Sequence, residues 1–371
     1  MSSTKPAHQV VLDDDALLTA GRTEFDAEVT YLNTATFGLP PRRSWHALQE
    51  ALLAWRAGTA DPLSYDASLT AARDAYARLV GVPTSMVAVG SQVSVFAGLI
   101  AAALPGGSEV LTAVGDFTSI LFPFHVQAAR GVVVREVPLE RIAGAVTEHT
   151  GLVSVSAVQS ADGRLADLSA LRAACAATGT RILLDTTQAV GWLPIDAGAF
   201  AYTVCGAYKW LLSPRGTAFF TVAPELADEL VPHTAGWYAG ENPWTSIYGA
   251  PLRLAGDARR FDVSPAWHAW VASAPSLQLL AEIGPTALHA NALGLANGFR
   301  RGLDLPPADS AIVSLAVDDT TPAALSTNQI AASVRAGRLR LSFHVSTSDE
   351  DVERAIQVLR PHTLAQQAAS P

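Results

Sequence analysis

A chain of 371 residues that is 49% hydrophobic, with a mean hydropathy of +0.24, can bury a large core, and two or three structural units are expected. Its formal charge of −9, from 34 acids against 25 bases, lacks the clustered cations that neutralise phosphates, so no nucleic-acid partner is expected and any bound anion must sit at a local site. Two cysteines, Cys175 and Cys205, are too few for a disulfide framework and have no metal-ligand spacing, so neither a metal nor an oxidising compartment is expected.

Acids at 13–15, with no basic stretch leading into an apolar one, do not read as an export signal, and the near-apolar run 93–104 is too short to cross about 30 Å of hydrocarbon. The expectation is a cytoplasmic protein that does not enter a membrane. Residues 1–30 read as a polar arm ending in a short helix at 14–20. The segment Tyr31-Leu32-Asn33-Thr34-Ala35-Thr36-Phe37-Gly38-Leu39-Pro40-Pro41 then breaks regular structure. It suits either a surface connection or a loop presenting N–H groups to a small anion. Helical spacing predicts helices over 43–56 and 68–80, the second followed by a glycine.

From residue 86 the pattern alternates. A β-branched run at 86–89 ends in Gly90-Ser91-Gln92 and a buried helix starts at 93, a strand–turn–helix that places unpaired N–H groups and a helix dipole where a phosphate can bind. Such turns also occur without ligands, and neither a Walker A nor a GxGxxG pattern is present. Further strands are predicted at 109–112, 132–137, 152–158, 182–184, 202–205 and 217–222, with a helix at 168–177 started by Asp167 and stopped by Gly179. Near-continuous apolar strands joined by helices imply a mostly parallel sheet covered on both faces, and the short link at 211–216 implies one antiparallel neighbour.

The segment 233–265 is irregular and holds Trp237, Tyr238, Trp244, Tyr248, Arg259 and Arg260, which favours a site or a subunit contact over ordinary core packing. Two long helices are predicted at 267–283 and 285–303. A small α/β unit follows, with strands at 311–317 and 338–343 and a helix at 348–359 capped by Ser348 and Asp349.

The chemistry concentrates after two strands. Asp185 ends an apolar run, where a carboxylate needs a cationic partner, and Lys209 follows the next run inside Gly206-Ala207-Tyr208-Lys209. Taken alone, Lys209 reads as a lysine snorkelling out of an apolar segment; desolvated, its amine would be nucleophilic. Because parallel sheets bind ligands at the carboxyl ends of their strands, Ser91, Phe117, Asp185 and Lys209 should face one crevice. That set matches pyridoxal phosphate. Its phosphate suits a helix N-terminus, its ring nitrogen a carboxylate, its ring a stacking side chain and its aldehyde a lysine.

The motifs Asp185-Thr186-Thr187-Gln188-Ala189-Val190-Gly191, Gly206-Ala207-Tyr208-Lys209 and Pro214-Arg215-Gly216 resemble the class V aminotransferase-like branch of fold-type I pyridoxal-phosphate enzymes, and the resemblance runs from Tyr31 to the last helix. It implies an α/β fold with a mostly parallel central sheet and a smaller C-terminal α/β domain. The chain then divides into an N-terminal arm and loop (1–42), a large cofactor-binding domain (43–265) and a small domain (266–371). It also implies that Lys209 joins the cofactor aldehyde as an imine and moves the Cα proton. Asp185 partners the ring nitrogen, Gln188 donates to the ring hydroxyl, Ser91 and Gln92 form the phosphate turn, Phe117 stacks on the ring, and Tyr208 reaches the phosphate. Asn33 and Arg340 are the implied substrate contacts, with Arg340 gripping the α-carboxylate; a structural ion pair is the other reading of Arg340.

Departures from the family pattern narrow the chemistry. Desulfurases carry a catalytic cysteine before the arginine strand, and no cysteine lies between 311 and 340. The stretch Arg260-Phe261-Asp262-Val263-Ser264-Pro265, where the family supplies a phosphate contact to the partner subunit, is shortened, although a homodimer with shared sites remains implied. The expected activity is β-elimination from an S-conjugated amino acid. Transamination, decarboxylation-coupled oxidative deamination, epimerisation and a non-catalytic protein of the same fold are the alternatives. The Ala-rich, Arg-over-Lys composition suggests specialised metabolism.

Overall fold

The computed structural model describes residues 14–364; the N-terminal arm up to residue 13 and the tail from 365 lie outside the described residues. A seven-stranded sheet organises the larger part. Its strands are β2 (Val87–Gly90), β3 (Glu109–Ala113), β4 (Val133–Val137), β5 (Thr150–Ser156), β6 (Arg181–Asp185), β7 (Tyr202–Gly206) and β8 (Ala218–Val222), in the spatial order β2-β8-β7-β6-β5-β3-β4. β3 pairs in parallel with β4 and β5, and β6 with β5 and β7. β8 is antiparallel to both β7 and β2, so it alone runs backwards and the other six point their carboxyl ends the same way.

Alternation along the strands feeds two cores. Leu111, Val153, Val155, Ile182, Leu184 and Cys205 face one, while Val110, Leu152, Leu183 and Val204 face the other. The first core is covered by α3 (Pro62–Leu79), α6 (Leu168–Thr178) and α7 (Trp267–Ile283), through Tyr76, Leu171, Trp270 and Leu277. The second is covered by α4 (Val93–Ala103) and α5 (Thr118–His125), through Phe96, Ile100, Ile120 and Phe124. A sheet sealed on both faces explains why its strands read as unbroken apolar runs.

The predicted strands and long helices fall within a few residues of those observed; the short strands at 30–31, 330–331 and 333–335 and the helix at 321–327 were not foreseen, and three further differences stand out. α3 starts at Pro62, not 68, because Asp61 caps it by accepting from the Leu63 N–H and proline fits the first helical turn. α5 was not foreseen. In the final helix, α10 (Asp349–Leu359), the partner of Ser348 in the capping box is Asp351, not Asp349.

The C-terminal part places α8 (Pro285–Gly302) and α10 against a three-stranded antiparallel sheet of β9 (Ile312–Leu315), β11 (Ser333–Arg335) and β12 (Arg338–Ser342), in the order β11-β12-β9. Its core of Leu295, Phe299, Leu315, Leu341, Phe343 and Leu359 also takes in Leu32 from the beginning of the chain. That insertion is held by backbone. Strand β1 (Thr30–Tyr31) pairs with β10 (Ile330–Ala331), Leu32 N–H donates to Ala331 O, and Ser342 N–H donates to Leu32 O. Among the described residues no helix is long and apolar enough to cross a membrane.

Candidate active site

Six strands sharing a direction bring their carboxyl ends to one edge, where a cavity of about 400 Å³ opens. Ser91 and Gln92 follow β2, Phe117 and Ser119 follow β3, and Ser156 and Ser160 lie at the end of β5. Asp185, Thr187 and Gln188 come from β6, and Tyr208, Lys209, Arg215 and Gly216 from beyond β7. The topology therefore joins residues that are far apart in the chain.

Lys209 is 5% exposed, and its Nζ has no hydrogen bond or ion pair to any described residue. The amine lies 5.1 Å from the centre of the Phe117 ring and 5.7 Å from that of Tyr208. Burial lowers its pKa to about 8; Asp185 opposes the shift, and the guanidiniums of Arg340 and Arg335 add to it. The snorkelling alternative fails, since the side chain points into the protein.

Asp185 is also buried, and its Oδ1 accepts from the Thr187 N–H at 2.8 Å. Burial pushes its pKa up to about 6, with the charge of Asp116 adding to the shift, while the Thr187 hydrogen bonds and Lys209 oppose it. No described cation comes within ion-pair distance, so the cationic partner expected for this carboxylate is not supplied by the described residues.

Gln188 is fully engaged. Its Nε2 donates to Ala35 O and to Ser160 Oγ, both at 3.0 Å, and its Oε1 accepts from Trp210 Nε1 at 2.8 Å. Both amide hydrogens are occupied, so an outgoing bond to a ligand exchanges one of these acceptors. Phe117 stands at the start of α5, 41% exposed. Its backbone is set by Asp116, which accepts from the N–H groups of Phe117 and Ser156, the Ser156 hydroxyl and Gln159 Nε2. Gln92 precedes α4 without making a side-chain cap, which leaves the first N–H groups of that helix open beside Ser91. Tyr208 packs its ring under the Arg215 guanidinium at 4.4 Å.

The loop 33–38 lies over this edge. Gly38 N–H donates to Tyr208 O at 2.9 Å, and a Cβ at Gly38 would collide with the carbonyl oxygen of Lys209, so the close approach requires glycine. Asn33 accepts the Thr36 and Phe37 N–H groups through its backbone oxygen, and its Oδ1 is buried without a partner. It stands outside the cavity lining.

Arg340 is 2% exposed on β12. Its Nη1 donates to the backbone oxygen of Ser160 and, at 3.2 Å, to Ser160 Oγ; its Nη2 donates to Thr36 Oγ1 at 2.7 Å. It forms no ion pair with any described residue, which removes the structural salt-bridge reading. The roles of Ser160, Thr36 and Asp116 escaped the sequence reading, because they arise from contacts up to 304 residues apart and no local pattern marks them.

The aromatic cluster at 237–248 does not line this cavity. Tyr238 Oη and Trp244 Nε1 donate to the two carboxylate oxygens of Asp66 on α3, at 2.9 and 2.7 Å, and the Trp237 ring contacts Tyr238 edge-on and Trp244 at a tilt. Tyr248 is 91% exposed. Neither cysteine reaches the cavity, and burial pushes the thiols of Cys175 and Cys205 up to about 11 and 12.

Residues 67–336 match the family model described as aminotransferase class-V. An uncharacterised aminotransferase of Bacillus subtilis, YcbU, is 28% identical over 300 residues, 77% of this chain and 76% of that protein. A kynureninase of Deinococcus radiodurans is 30% identical over 308 residues, 76% of this chain and 73% of that protein. In fold, the chain is similar to C-DES, a cystine C–S lyase. A complex with cysteine persulfide gives a TM-score of 0.81 at 20% identity, covering 91% of this chain and 98% of that one. A variant with glycine linked to its pyridoxal-phosphate cofactor gives 0.83 at 20% identity, covering 92% and 99%. With the motif residues gathered at the strand ends and the matched segment spanning most of the chain, this protein belongs to the class-V aminotransferase family of pyridoxal-phosphate-dependent enzymes.

Proposed function

We propose that this enzyme cleaves the Cβ–S bond of an S-conjugated amino acid by β-elimination, with Lys209 as the acid–base residue. The observation that carries this reading is a buried, unpartnered amine with a pKa near 8 in a cavity that no thiol reaches. A base poised near neutrality suits abstraction of a Cα proton, and with no cysteine in the cavity the protein itself has no thiol there to take up sulfur as an enzyme-bound persulfide. The likeness in fold to a cystine C–S lyase agrees with the reading.

Three features fit pyridoxal phosphate: an amine with no partner, a buried carboxylate with no cation, and a helix N-terminus with no side-chain cap. When bound, the cofactor supplies an aldehyde that joins an amine and a protonated ring that accepts the electron pair released at Cα. Lys209 Nζ would hold the aldehyde, Asp185 the ring nitrogen, Phe117 the ring face, Gln188 the ring hydroxyl, and Ser91, Gln92, Tyr208 and the start of α4 the phosphate. Arg340 is assigned to the substrate α-carboxylate and Asn33 to the substrate side of the loop.

In this scheme Lys209 takes the Cα proton as a neutral amine and returns it, as an ammonium, to the departing sulfur. The Cα–H and Cβ–S bonds break, a thiol leaves, and water completes the release of pyruvate and ammonia. Transamination is the second reading, favoured because the same lysine also serves to return a proton after Cα is deprotonated. A homodimer completes the proposal, with the exposed Tyr248, Ile247 and Leu252 on the irregular segment as its contact candidates.

Product identification tests the reaction. Incubation with S-substituted cysteines should yield pyruvate, ammonia and a thiol in equal amounts; a substrate-derived keto acid with the amino group retained on the enzyme or passed to an acceptor would establish transamination instead. The purified protein should show a visible absorbance band that borohydride removes with label fixed on Lys209, and Lys209→Ala should lack that labelling. Protein that takes up no cofactor would overturn the site assignment.

A further inference from the structure

The hairpin of β11 and β12 turns through Ala336 and Gly337, both at positive φ (48° and 74°), and pairs Ser333 with Arg340 and Arg335 with Arg338. With the two-residue period of a strand, Arg335, Arg338 and Arg340 therefore share one face. Arg338 is turned to Ser314, donating to its Oγ and its backbone oxygen. Arg335 and Arg340 converge elsewhere. The Nη2 atoms of both donate to a single acceptor, Thr36 Oγ1, at 3.3 and 2.7 Å.

Two guanidiniums sharing one neutral hydroxyl is a charge arrangement that the protein itself leaves unbalanced. Arg335 has only Val334 O as another partner, and neither arginine meets a carboxylate among the described residues. The mutual repulsion is felt at the site: Arg335 adds to the burial that lowers Arg340 to about 10, and both arginines help to lower Lys209. Asp185, the carboxylate that opposes this shift at the amine, forms no ion pair with either arginine and already has its proposed ring partner. The two heads also differ in depth, Arg340 being buried and Arg335 exposed; neither belongs to the cavity lining itself, which Arg340 reaches through Ser160.

We propose that Arg335 reads a second anionic group on the substrate, so that the enzyme takes amino acids whose side chain ends in a carboxylate while Arg340 holds the α-carboxylate. The inference rests on the assignment of this cavity as the substrate site. Under the lyase reading it names the class as cysteine S-conjugates whose sulfur substituent is itself acidic. A guanidinium suits this task because it meets a carboxylate through two parallel hydrogen bonds.

Binding of unreactive acids to the cofactor-loaded enzyme tests it, measured by calorimetry with propionate, succinate and glutarate. The wild type should bind at least one of the two dicarboxylates about tenfold or more tightly than propionate, the scale of one charge-assisted contact. Arg335→Gln should remove that preference while leaving propionate affinity and the visible cofactor band in place, and Arg335→Lys should keep part of it. Equal affinity for all three acids in the wild type, or a parallel loss for propionate and the dicarboxylates in Arg335→Gln, overturns the proposal. The measurement does not depend on which bond is broken. A chain that discriminates dicarboxylates but releases no thiol from any S-conjugate refutes the lyase reading and upholds this one.

Discussion

Trp210 Nε1 donates to Gln188 Oε1 at 2.8 Å, and this bond ties the turn that carries Lys209 to the strand end that carries Asp185. Trp210 is fully buried against Trp192, whose own Nε1 donates to Gln188 O at 2.6 Å. From the other side His344 Nε2 lies 2.9 Å from Trp210 O, and burial holds its pKa near 4, so the ring is neutral and donates from Nε2 throughout the neutral range. The lysine turn is thus positioned by groups that do not titrate where an enzyme works.

Trp210→Phe keeps an aromatic ring but leaves a small void and Gln188 Oε1 unpaired. We expect a stability loss of about 1–3 kcal/mol and a fall in kcat larger than any change in KM, because the amine loses its register with the carboxylate. Denaturant titration together with steady-state kinetics checks this; unchanged kcat would show that the Trp210 bond does not position Lys209.

Asp185 carries a cost that its removal should reveal. Its carboxyl titrates at about 6 in the folded chain against 3.8 for the ordinary group. The folded state thus binds more protons between these values, and the cofactor-free protein loses stability as pH rises from about 4 to 6. At 1.36 kcal/mol per unit the penalty at pH 7 is up to about 3 kcal/mol. Asp185→Asn, which can still accept from the Thr187 N–H, should therefore raise the melting temperature of the cofactor-free protein at pH 7 and flatten its pH dependence between 4 and 6. It should lower activity by roughly 10²-fold or more, since an amide cannot keep a ring nitrogen protonated. A lower melting temperature for the variant would contradict the assignment of strain to this carboxylate.

Arg73 and Asp262 form an ion pair at 2.6 Å that is almost wholly buried, and Asp262 also accepts from the Val89 N–H on β2. The pair fastens the irregular segment to the strand that leads into Ser91 and Gln92. Removing one partner strands a buried charge, so Arg73→Ala should cost about 3–5 kcal/mol. Cofactor affinity should weaken with it, as the phosphate turn loses its support. Chemical denaturation and cofactor titration measure the two effects.

Asp66→Ala removes the acceptor of both Tyr238 and Trp244. Leaving the buried tyrosine hydroxyl without a partner should cost about 1–3 kcal/mol, with the visible cofactor band unchanged in position. A displaced band would place the aromatic cluster against a cofactor site.

What was readable in the sequence follows from how each feature is encoded. The strands were legible because a sheet buried on both faces needs continuous apolar runs, and the strand-end rule then gathers Ser91, Phe117, Asp185 and Lys209 from the sequence alone. α5 was hidden because Pro123 lies inside its short span, where proline normally signals a break. The direction of the 237–248 aromatics was not legible because clustering reveals nothing about direction, and Asp66, which holds Tyr238 and Trp244, sits on a distant helix. Arg335 was passed over for a related reason: only the pairing of the hairpin and the shared contact with Thr36 distinguish it from any exposed arginine.

The seat of residues 30–38 has a bearing on biosynthesis. Residues 30–32 take their backbone partners from Gln329, Ala331 and Ser342, yet Gly38 is what presses on the Lys209 turn. A ribosome that has delivered the chain through β8 has made every strand of the large sheet, but the loop over the amine still lacks its anchor, which is made only with β10 and β12. Closure of the site therefore lags completion of the large sheet, and a nascent chain truncated before residue 330 should expose the Lys209 turn to solvent.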